Sequence, residues 1–158
     1  MIFVTIGTQD KPFHRLLEAV RTLKNNGQIK EEIVVQNGTT SFSDPTMTII
    51  PFMDMTTFND YLNQCDLLIT HGGVGTIMNA LKLNKTIIAV PRRVAYGEHE
   101  NDHQLQIIET FAKAHHLLAC MDPNDLGKVI EKAKGFKPLP WQSNRYQLLD
   151  DIAKELGL

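Results

Sequence analysis

The chain has 158 residues, 42% of them hydrophobic, which is enough to bury a sizeable core in one domain. Charged residues make up 22% and the formal net charge is −2, a composition that excludes a disordered chain. The 16 basic residues are scattered and do not alternate with aromatic residues, so nucleic acid is not expected as a partner.

Two features of the sequence bear on its compartment. Cys65 and Cys120 lie far apart and form no CxxC pair, so we expect two buried, reduced thiols. The N-terminal stretch "MIFVTIGTQDK" lacks the basic region of a signal peptide, and no apolar run approaches the roughly 20 residues needed to span a bilayer. We therefore expect a cytoplasmic protein that reaches a membrane only through another component.

Short apolar runs alternate with segments of helical period along the chain. The runs are nearly continuous stretches of Ile, Val and Leu, which is typical of strands covered on both faces. Six strands are predicted, at 1–6, 32–36, 48–52, 66–70, 86–90 and 117–121.

Four apolar stripes with i, i+3, i+4 spacing predict helices. The stripes are Phe13, Leu16, Leu17 and Val20; Val74, Ile77, Met78 and Leu81; Leu105, Ile108 and Ala112; and Leu148, Leu149, Ile152, Ala153 and Leu156. The alternation predicts an α/β fold with a Rossmann-like, doubly wound parallel sheet. A linker at 135–144, rich in proline, separates a main domain at 1–140 from a C-terminal element at 141–158, whose helix is expected at 143–156.

Glycine and polar residues follow several of the predicted strands. They occupy 7–9, 36–38, 52–54, 71–76 and 91–104. In an open parallel sheet, ligands bind outside the carboxyl ends of the strands. The sequence therefore predicts the functional site at that edge.

The stretch "HGGVGT" at 71–76 joins a strand to a helix and has the properties of an anion site. Its glycines allow close approach to the backbone, and the first N–H groups of a helix favour negative charge. Thr76 adds a hydroxyl donor. A tight turn that needs positive φ is the alternative, and the pattern matches neither GxxxxGK[ST] nor GxGxxG. The stretch "IGTQ" after the first strand is a weaker anion-loop candidate, with an ordinary βα turn as its alternative.

The stretch "GEHENDHQ" at 97–104 is dense in polar residues. A metal site on His99 and His103 is disfavoured because the helix is expected to begin near Asn101, which leaves His99 outside it. A helix start capped by Asn101 or Asp102 and an edge that binds sugar hydroxyls are the two interpretations. His115 and His116, at the other end of that helix, are expected at the surface.

Three stretches, at 1–17, 51–92 and 100–104, together resemble the C-terminal, donor-binding domain of family 28 glycosyltransferases of the GT-B fold. The resemblance covers nearly the whole chain and is weakest over the last 20 residues. It is closest to stand-alone subunits. These are subunits of two-part UDP-GlcNAc transferases of lipid-linked oligosaccharide synthesis, and bacterial capsule or exopolysaccharide subunits that pair with a membrane-anchored partner.

The resemblance implies a UDP-sugar donor and assigns roles to matching positions. Phe52 and Met53 match the segment that holds uracil, and Gly7 and Thr8 match a loop that faces the diphosphate. The diphosphate turn matches His71, Gly72, Gly73, Val74, Gly75 and Thr76, and the donor-sugar contacts match Asp102, His103 and Gln104.

Asn79 departs from the family pattern. It stands where the family usually has a glutamate that grips both ribose hydroxyls. A neutral amide lacks charge assistance, so donor binding is expected to weaken by about 1–2 kcal/mol.

The resemblance also implies a division of labour. The chain would be the catalytic, donor-binding subunit of a UDP-dependent hexosyltransferase that needs no cofactor and no metal. A membrane-anchored subunit would bind a lipid-linked saccharide acceptor, supply the general base and hold this chain at the cytoplasmic membrane face. The C-terminal helix is a candidate docking element, or it covers this domain's own sheet.

Two other functions compete with this one. A non-catalytic subunit that stabilises or stimulates its partner is favoured by Asn79, whereas the intact glycine turn and "DHQ" argue against it. A nucleotide-sugar epimerase of similar fold is disfavoured by the length of the chain.

Overall fold

The computed structural model describes residues 1–140, and it contains all six predicted strands. The strands are β1 (Ile2–Thr5), β2 (Ile33–Gln36), β3 (Thr48–Ile50), β4 (Leu67–Thr70), β5 (Thr86–Ala89) and β6 (Leu118–Ala119). Within this part of the chain the helices are α1 (His14–Asn25), α2 (Met55–Gln64), α3 (Val74–Lys82), α4 (His103–Lys113) and α5 (Leu126–Ala133). The predicted helix at 143–156 and the docking element at 141–158 lie outside the described residues.

The strands form one parallel sheet in the order β3-β2-β1-β4-β5-β6. This order confirms the predicted doubly wound α/β fold. The chain direction across the sheet reverses between β1 and β4, and the last residues of β1, β2 and β4 align there, with Thr5 opposite both Gln36 and Thr70. Ligands of such sheets bind at this reversal point.

The core has one layer on each face of the sheet. Ile2 and Val4 of β1 belong to the layer that α1 and α5 cover, whereas Phe3 belongs to the layer under α2, α3 and α4. Phe3 meets Phe58 of α2 edge-on, with ring centroids 5.3 Å apart. The alternation along β1 explains why its sequence is continuously apolar: both faces of the strand are buried.

The apolar pattern predicted helices α1, α3 and α4 but missed α2 and α5. Helix α2 buries only Phe58 and Leu62, and α5 buries Leu126, Val129 and Ile130. A usable signal for α2 was Asp54, whose carboxylate caps the helix by accepting from the Thr57 N–H at 2.7 Å.

The sequence predicts whether two cysteines and two histidines are buried, and the structure shows where each of them lies. Cys65 and Cys120 are buried free thiols, as predicted, and burial raises the pKa of Cys120 to about 12. His115 is exposed, but the surface position expected for His116 is wrong. The His116 ring is buried beside Phe111, and its Nδ1 lies 3.0 Å from the carbonyl oxygen of Leu139.

Of the helices in residues 1–140, none is both long and apolar enough to cross a membrane.

Candidate functional site

A cleft of about 430 Å³ opens at the carboxyl ends of β1, β2 and β4. It therefore lies at the predicted edge, where the strand order reverses. It is lined by Thr5, Gly7, Thr8, Gln9, Gln36, Met53, Met55, Phe58, His71, Gly73, Gly75, Thr76 and Asn79. No lining residue in the described part of the chain carries a carboxylate.

The turn between β4 and α3 needs its glycines for space. Gly72 and Gly73 do not have positive φ, so the alternative of a tight turn built on left-handed residues is wrong. A Cβ at Gly73 would lie 2.5 Å from Cε1 of the His71 ring, and one at Gly72 would lie 2.6 Å from Cβ of Gln104. The missing side chains thus let two polar side chains pack directly against the turn.

Helix α3 begins at this turn with no side-chain cap. Gly73 is its N-cap residue and has no side-chain oxygen that could accept a hydrogen bond from the first N–H groups. Gly75 and Thr76, in the first turn of the helix, line the cleft. Uncapped N–H groups together with the helix dipole favour a negatively charged ligand at this point.

The loop between β1 and α1 forms the facing wall of the cleft and requires a left-handed glycine. Gly7 has φ +78°, and a Cβ there would lie 2.7 Å from Nε2 of His71. Gly38, with φ +53°, supports this loop from behind, since a Cβ at Gly38 would lie 2.6 Å from the Gly7 carbonyl oxygen. The loop at 6–9, the weaker of the two predicted anion sites, therefore packs directly against His71 of the stronger site at 71–76.

His71 is buried between the two glycine loops and is held by Gln104. Nε2 of Gln104 lies 3.1 Å from Nδ1 of His71, and Oε1 of Gln104 accepts from the N–H groups of Gly72 at 3.0 Å and Arg92 at 3.1 Å. Burial, and then the charge of Arg92, lower the pKa of His71 to about 3. The ring is therefore neutral at physiological pH.

Arg92 is buried at the end of β5 and ties two loops together. Its Nη2 donates to the Ile6 carbonyl at 2.6 Å, and its Nη1 donates to the carbonyls of Lys11 at 2.8 Å and Glu98 at 3.0 Å. Burial lowers the pKa of Arg92 to about 10, so the guanidinium remains charged at neutral pH. The β1–α1 loop and the segment after β5 are thus held around one cation.

The segment after β5 is also anchored to α1. The buried carboxylate of Glu98 accepts two 2.8 Å hydrogen bonds from Arg15, and it also accepts from the Arg93 N–H at 3.0 Å. The Arg15 guanidinium stacks on Tyr96, 3.9 Å from the ring centroid. A bidentate pair of this kind restricts orientation as well as distance.

The structure brings only part of the predicted site to the cleft surface. Eight predicted residues line it: Gly7, Thr8, Met53, His71, Gly73, Gly75, Thr76 and Asn79. The others, Phe52, Gly72, Val74, Asp102, His103 and Gln104, are not part of the lining. The sugar contacts assigned to the last three stay a prediction.

The segment before α4 explains the position of Asp102. Its carboxylate accepts from the Val94 N–H at 3.0 Å, so Asp102 stabilises the turn after β5. Asn101 accepts from the His103 N–H at 3.0 Å at the start of α4. The expected helix start near these two residues is confirmed.

Five lining residues are not among the predicted site residues. They are Thr5, Gln9, Gln36, Met55 and Phe58. The sequence marks Gln9 and Gln36 only as polar residues that follow strands. Thr5 lay inside an apolar run, where only the pairing of the strands shows that it faces a cleft. Met55 and Phe58 belong to α2, a helix that the apolar pattern did not predict.

Comparison with known proteins gives consistent matches. The family model for the glycosyltransferase family 28 C-terminal domain matches residues 1–155. The UDP-N-acetylglucosamine transferase subunit ALG13 of Candida albicans is 30% identical over 77 residues, which cover 49% of this chain and 25% of that protein. The match thus spans about a quarter of the curated relative.

Two solved structures share the fold. An NMR structure of ALG13 aligns with a TM-score of 0.60 at 20% identity, over 94% of this chain and 93% of that chain. The calicheamicin glycosyltransferase CalG4 aligns with a TM-score of 0.58 at 13% identity, over 98% of this chain and 38% of that chain. At these identities the structures establish the fold alone.

The two glycines around the start of α3 should respond oppositely to alanine. Gly73→Ala should lower the free energy of unfolding by about 1–3 kcal/mol, because the new methyl group meets a ring that Gln104 holds in place. Gly75→Ala is the matched control, since a Cβ there meets nothing within 4 Å, and it should leave stability unchanged or raise it by up to about 1 kcal/mol. Urea unfolding measures both, and equal effects would contradict the packing described.

The neutral, buried His71 should make the protein sensitive to acid. The unfolded ring binds a proton near pH 6.5, whereas the native ring does so only near pH 3, so stability is lost as pH falls through this window. The slope from this one group should reach at most about 1.4 kcal/mol per pH unit. Unfolding free energies measured from pH 7 to pH 4 should fall less steeply in His71→Gln than in the wild type. The exposed His14→Gln is the control, and identical slopes in wild type and His71→Gln would refute the assignment.

Proposed function

Because the chain belongs to the family defined by the glycosyltransferase family 28 C-terminal domain, we propose that it is the donor-binding subunit of a UDP-sugar-dependent hexosyltransferase. The chain has the fold of one half of a GT-B glycosyltransferase. The observation that carries the proposal is the uncapped start of α3, which opens into the cleft beside a neutral histidine. This arrangement suits the diphosphate of a nucleotide sugar.

The electrostatics of the cleft support a diphosphate ligand. The start of α3 carries partial positive charge, and the buried guanidinium of Arg92 adds a full charge behind the β1–α1 loop. The cleft lining contributes no opposing carboxylate. An anion entering the cleft therefore meets hydrogen-bond donors and positive potential.

The rim of the cleft offers apolar surface for a nucleobase. Phe52 and Met55 are 55% and 61% exposed, and Met53 lies between them in the chain. Exposed apolar side chains beside a polar cleft are typical of a ligand-binding edge. Asn79, on α3, lines the same cleft and is our candidate for the ribose hydroxyls.

The proposed chemistry follows from the fixed donors. When the bond between the sugar and the diphosphate breaks, negative charge develops on the leaving phosphate oxygen. N–H groups already aimed at that position stabilise the charge without reorganisation. The start of α3 would do this without a metal ion, and we propose that the chain uses no cofactor.

The general base is proposed to come from a partner. Among the described residues that line the cleft, His71 is the only titratable side chain. Its Nδ1 is taken by Gln104, and its pKa is far below neutral. A base that deprotonates the acceptor hydroxyl therefore belongs on the acceptor side.

We propose that a membrane-anchored subunit supplies that side and binds a lipid-linked saccharide. The similarity to ALG13, a UDP-N-acetylglucosamine transferase subunit, supports a two-subunit enzyme. The chain would then work as a peripheral protein at the cytoplasmic membrane face, in polysaccharide, capsule or lipid-linked oligosaccharide synthesis.

One observation favours a second function. Asn79 places a neutral amide where a charged acceptor would hold the ribose more strongly. A chain that binds the donor weakly could serve only to stabilise or stimulate its partner. The two functions differ in whether nucleotide binding by this chain is needed for activity.

Isothermal titration with UDP, ADP and GDP in EDTA tests donor binding. UDP should bind, whereas the purine nucleotides ADP and GDP should not. Gly73→Ala should weaken UDP binding by about tenfold because it displaces the His71 ring from the turn. Gly135→Ala, at an open position away from the cleft, is the matched control. Equal binding of all three nucleotides would contradict a UDP site.

Reconstitution distinguishes the two functions. Membranes from a strain that lacks the chain should transfer radiolabelled sugar from a UDP-sugar to lipid only when the wild-type chain is added, also in EDTA. The chain alone should be inactive. At a UDP-sugar concentration well below saturation, Gly73→Ala should restore about a tenth of the activity, in line with its tenfold weaker UDP binding. Full restoration by this variant would favour the stimulatory subunit.

A further inference from the structure

The side-chain amide of Gln104 has an unambiguous orientation. One of its ends receives hydrogen bonds from two backbone N–H groups, those of Gly72 and Arg92, at 3.0 and 3.1 Å. Backbone N–H groups can only donate, so this end must be the carbonyl oxygen. Gln104 is buried, and the base of its side chain packs on Gly72, where an added Cβ would lie 2.6 Å from Cβ of Gln104. The opposite end is therefore the NH₂ group.

This orientation decides which nitrogen of His71 carries the proton. The NH₂ group of Gln104 lies 3.1 Å from Nδ1 of His71 and can only donate. Nδ1 must then be an unprotonated acceptor. A neutral imidazole has one N–H, so in His71 the proton resides on Nε2.

Nε2 of His71 points between the two glycine loops of the cleft. A Cβ built on either Gly7 or Gly73 would lie 2.7 Å from this atom. Within residues 1–140 no protein atom accepts a hydrogen bond from it, and His71 lines the cleft. The N–H is thus directed to where a ligand would sit beside the start of α3.

We infer that Gln104 is a positioning residue that holds His71 as the neutral Nε2–H tautomer, so that this N–H donates to a phosphate oxygen of the donor. The inference rests on the proposed function for the identity of the acceptor, but not for the state of the ring. In this role Gln104 acts through another side chain, His71. The same amide also accepts a hydrogen bond from the Gly72 N–H, so Gln104 fixes both the tautomer of His71 and the position of the glycine turn.

The titratable groups that act on the ring are few. Arg92 at the end of β5 and His99 in the following segment both disfavour a second proton on His71. Within residues 1–140, Gln104 is the one side chain that forms a hydrogen bond with Nδ1 of the ring. Replacement of Gln104 is therefore expected to be the dominant influence on the proton at Nδ1.

Gln104→Glu isolates this effect. The new carboxylate keeps an oxygen for Gly72 and Arg92 but replaces the NH₂ donor with an acceptor. While the new carboxyl is ionised, the ring must carry a proton on Nδ1, either as an imidazolium at low pH or as the Nδ1–H tautomer above the pKa of the ring. In the second state Nε2 presents a lone pair to the phosphate. Gln106→Glu, on the exposed side of the same helix, is the matched control for added charge.

The first measurement is the two-bond ¹H–¹⁵N spectrum of the full chain labelled at histidine, with His71 assigned by its loss in His71→Gln. The wild type should show a protonated Nε2 and an unprotonated Nδ1, unchanged in Gln106→Glu. Gln104→Glu should show a protonated Nδ1. A proton on Nδ1 in the wild type, or an unaltered ring in Gln104→Glu, overturns the inference.

The second measurement is UDP affinity from pH 6 to pH 9, taken as the ratio to wild type so that titration of UDP itself cancels. In Gln104→Glu the dissociation constant should rise by about tenfold or more as the ring loses its charge, because a charge-assisted hydrogen bond becomes a repulsion. In Gln106→Glu the ratio should stay flat. A flat ratio in Gln104→Glu overturns the role of the N–H in binding. If the wild type binds no UDP, the proposed function is wrong. The tautomer of His71 is then still tested, by the histidine spectrum alone.

Discussion

A buried guanidinium holds together the loops that form the cleft. Arg92 donates to carbonyl groups of Ile6 and Lys11 on one side and of Glu98 on the other. In residues 1–140 no carboxylate lies within ion-pair distance of it, since Glu98 is committed to Arg15. Burying a charge costs several kcal/mol unless hydrogen bonds offset the loss of water. The carbonyl groups that do so also determine the shape of both loops.

The same arrangement sets the electrostatic character of the site. Burial, and then the charge of Arg92, lower the pKa of His71 to about 3, so the imidazole is neutral and a very weak base, and its one N–H can donate a hydrogen bond. Missing side chains at Gly7, Gly72 and Gly73 leave room for His71 and Gln104. A cleft built from backbone N–H groups, neutral donors and a distant cation is suited to stabilising a phosphate leaving group and unsuited to removing a proton.

The predicted fold was accurate where the apolar pattern was dense. The central strands β1, β2 and β4 are buried at every position, so each reads as an unbroken run, and the partly exposed edge strands β3 and β6 still carry short apolar runs. Helix α2 was missed because it buries only two residues, Phe58 and Leu62, and α5 is a short helix of eight residues. The glycine turn of the site was also visible, but its alternative explanation by positive φ could be rejected only once the backbone was known. Gln104 matched a sugar-contacting position by resemblance, whereas its amide is engaged with Gly72, Arg92 and His71.

Local pattern alone specified the α/β class, the six strands and the edge where glycine and polar residues gather, because periodicity and turn chemistry act over a few residues. The strand order and the contacts of the site depended on the folded chain. Gln104 reaches His71 across 33 positions, and Arg92 reaches Ile6 across 86. Such contacts arise only when β1, β4 and β5 lie side by side, and hydrophobic periodicity does not encode which strands are neighbours. The neutral state of His71 has the same origin, since burial and the charge of Arg92, which follows the neighbouring strand β5, produce it.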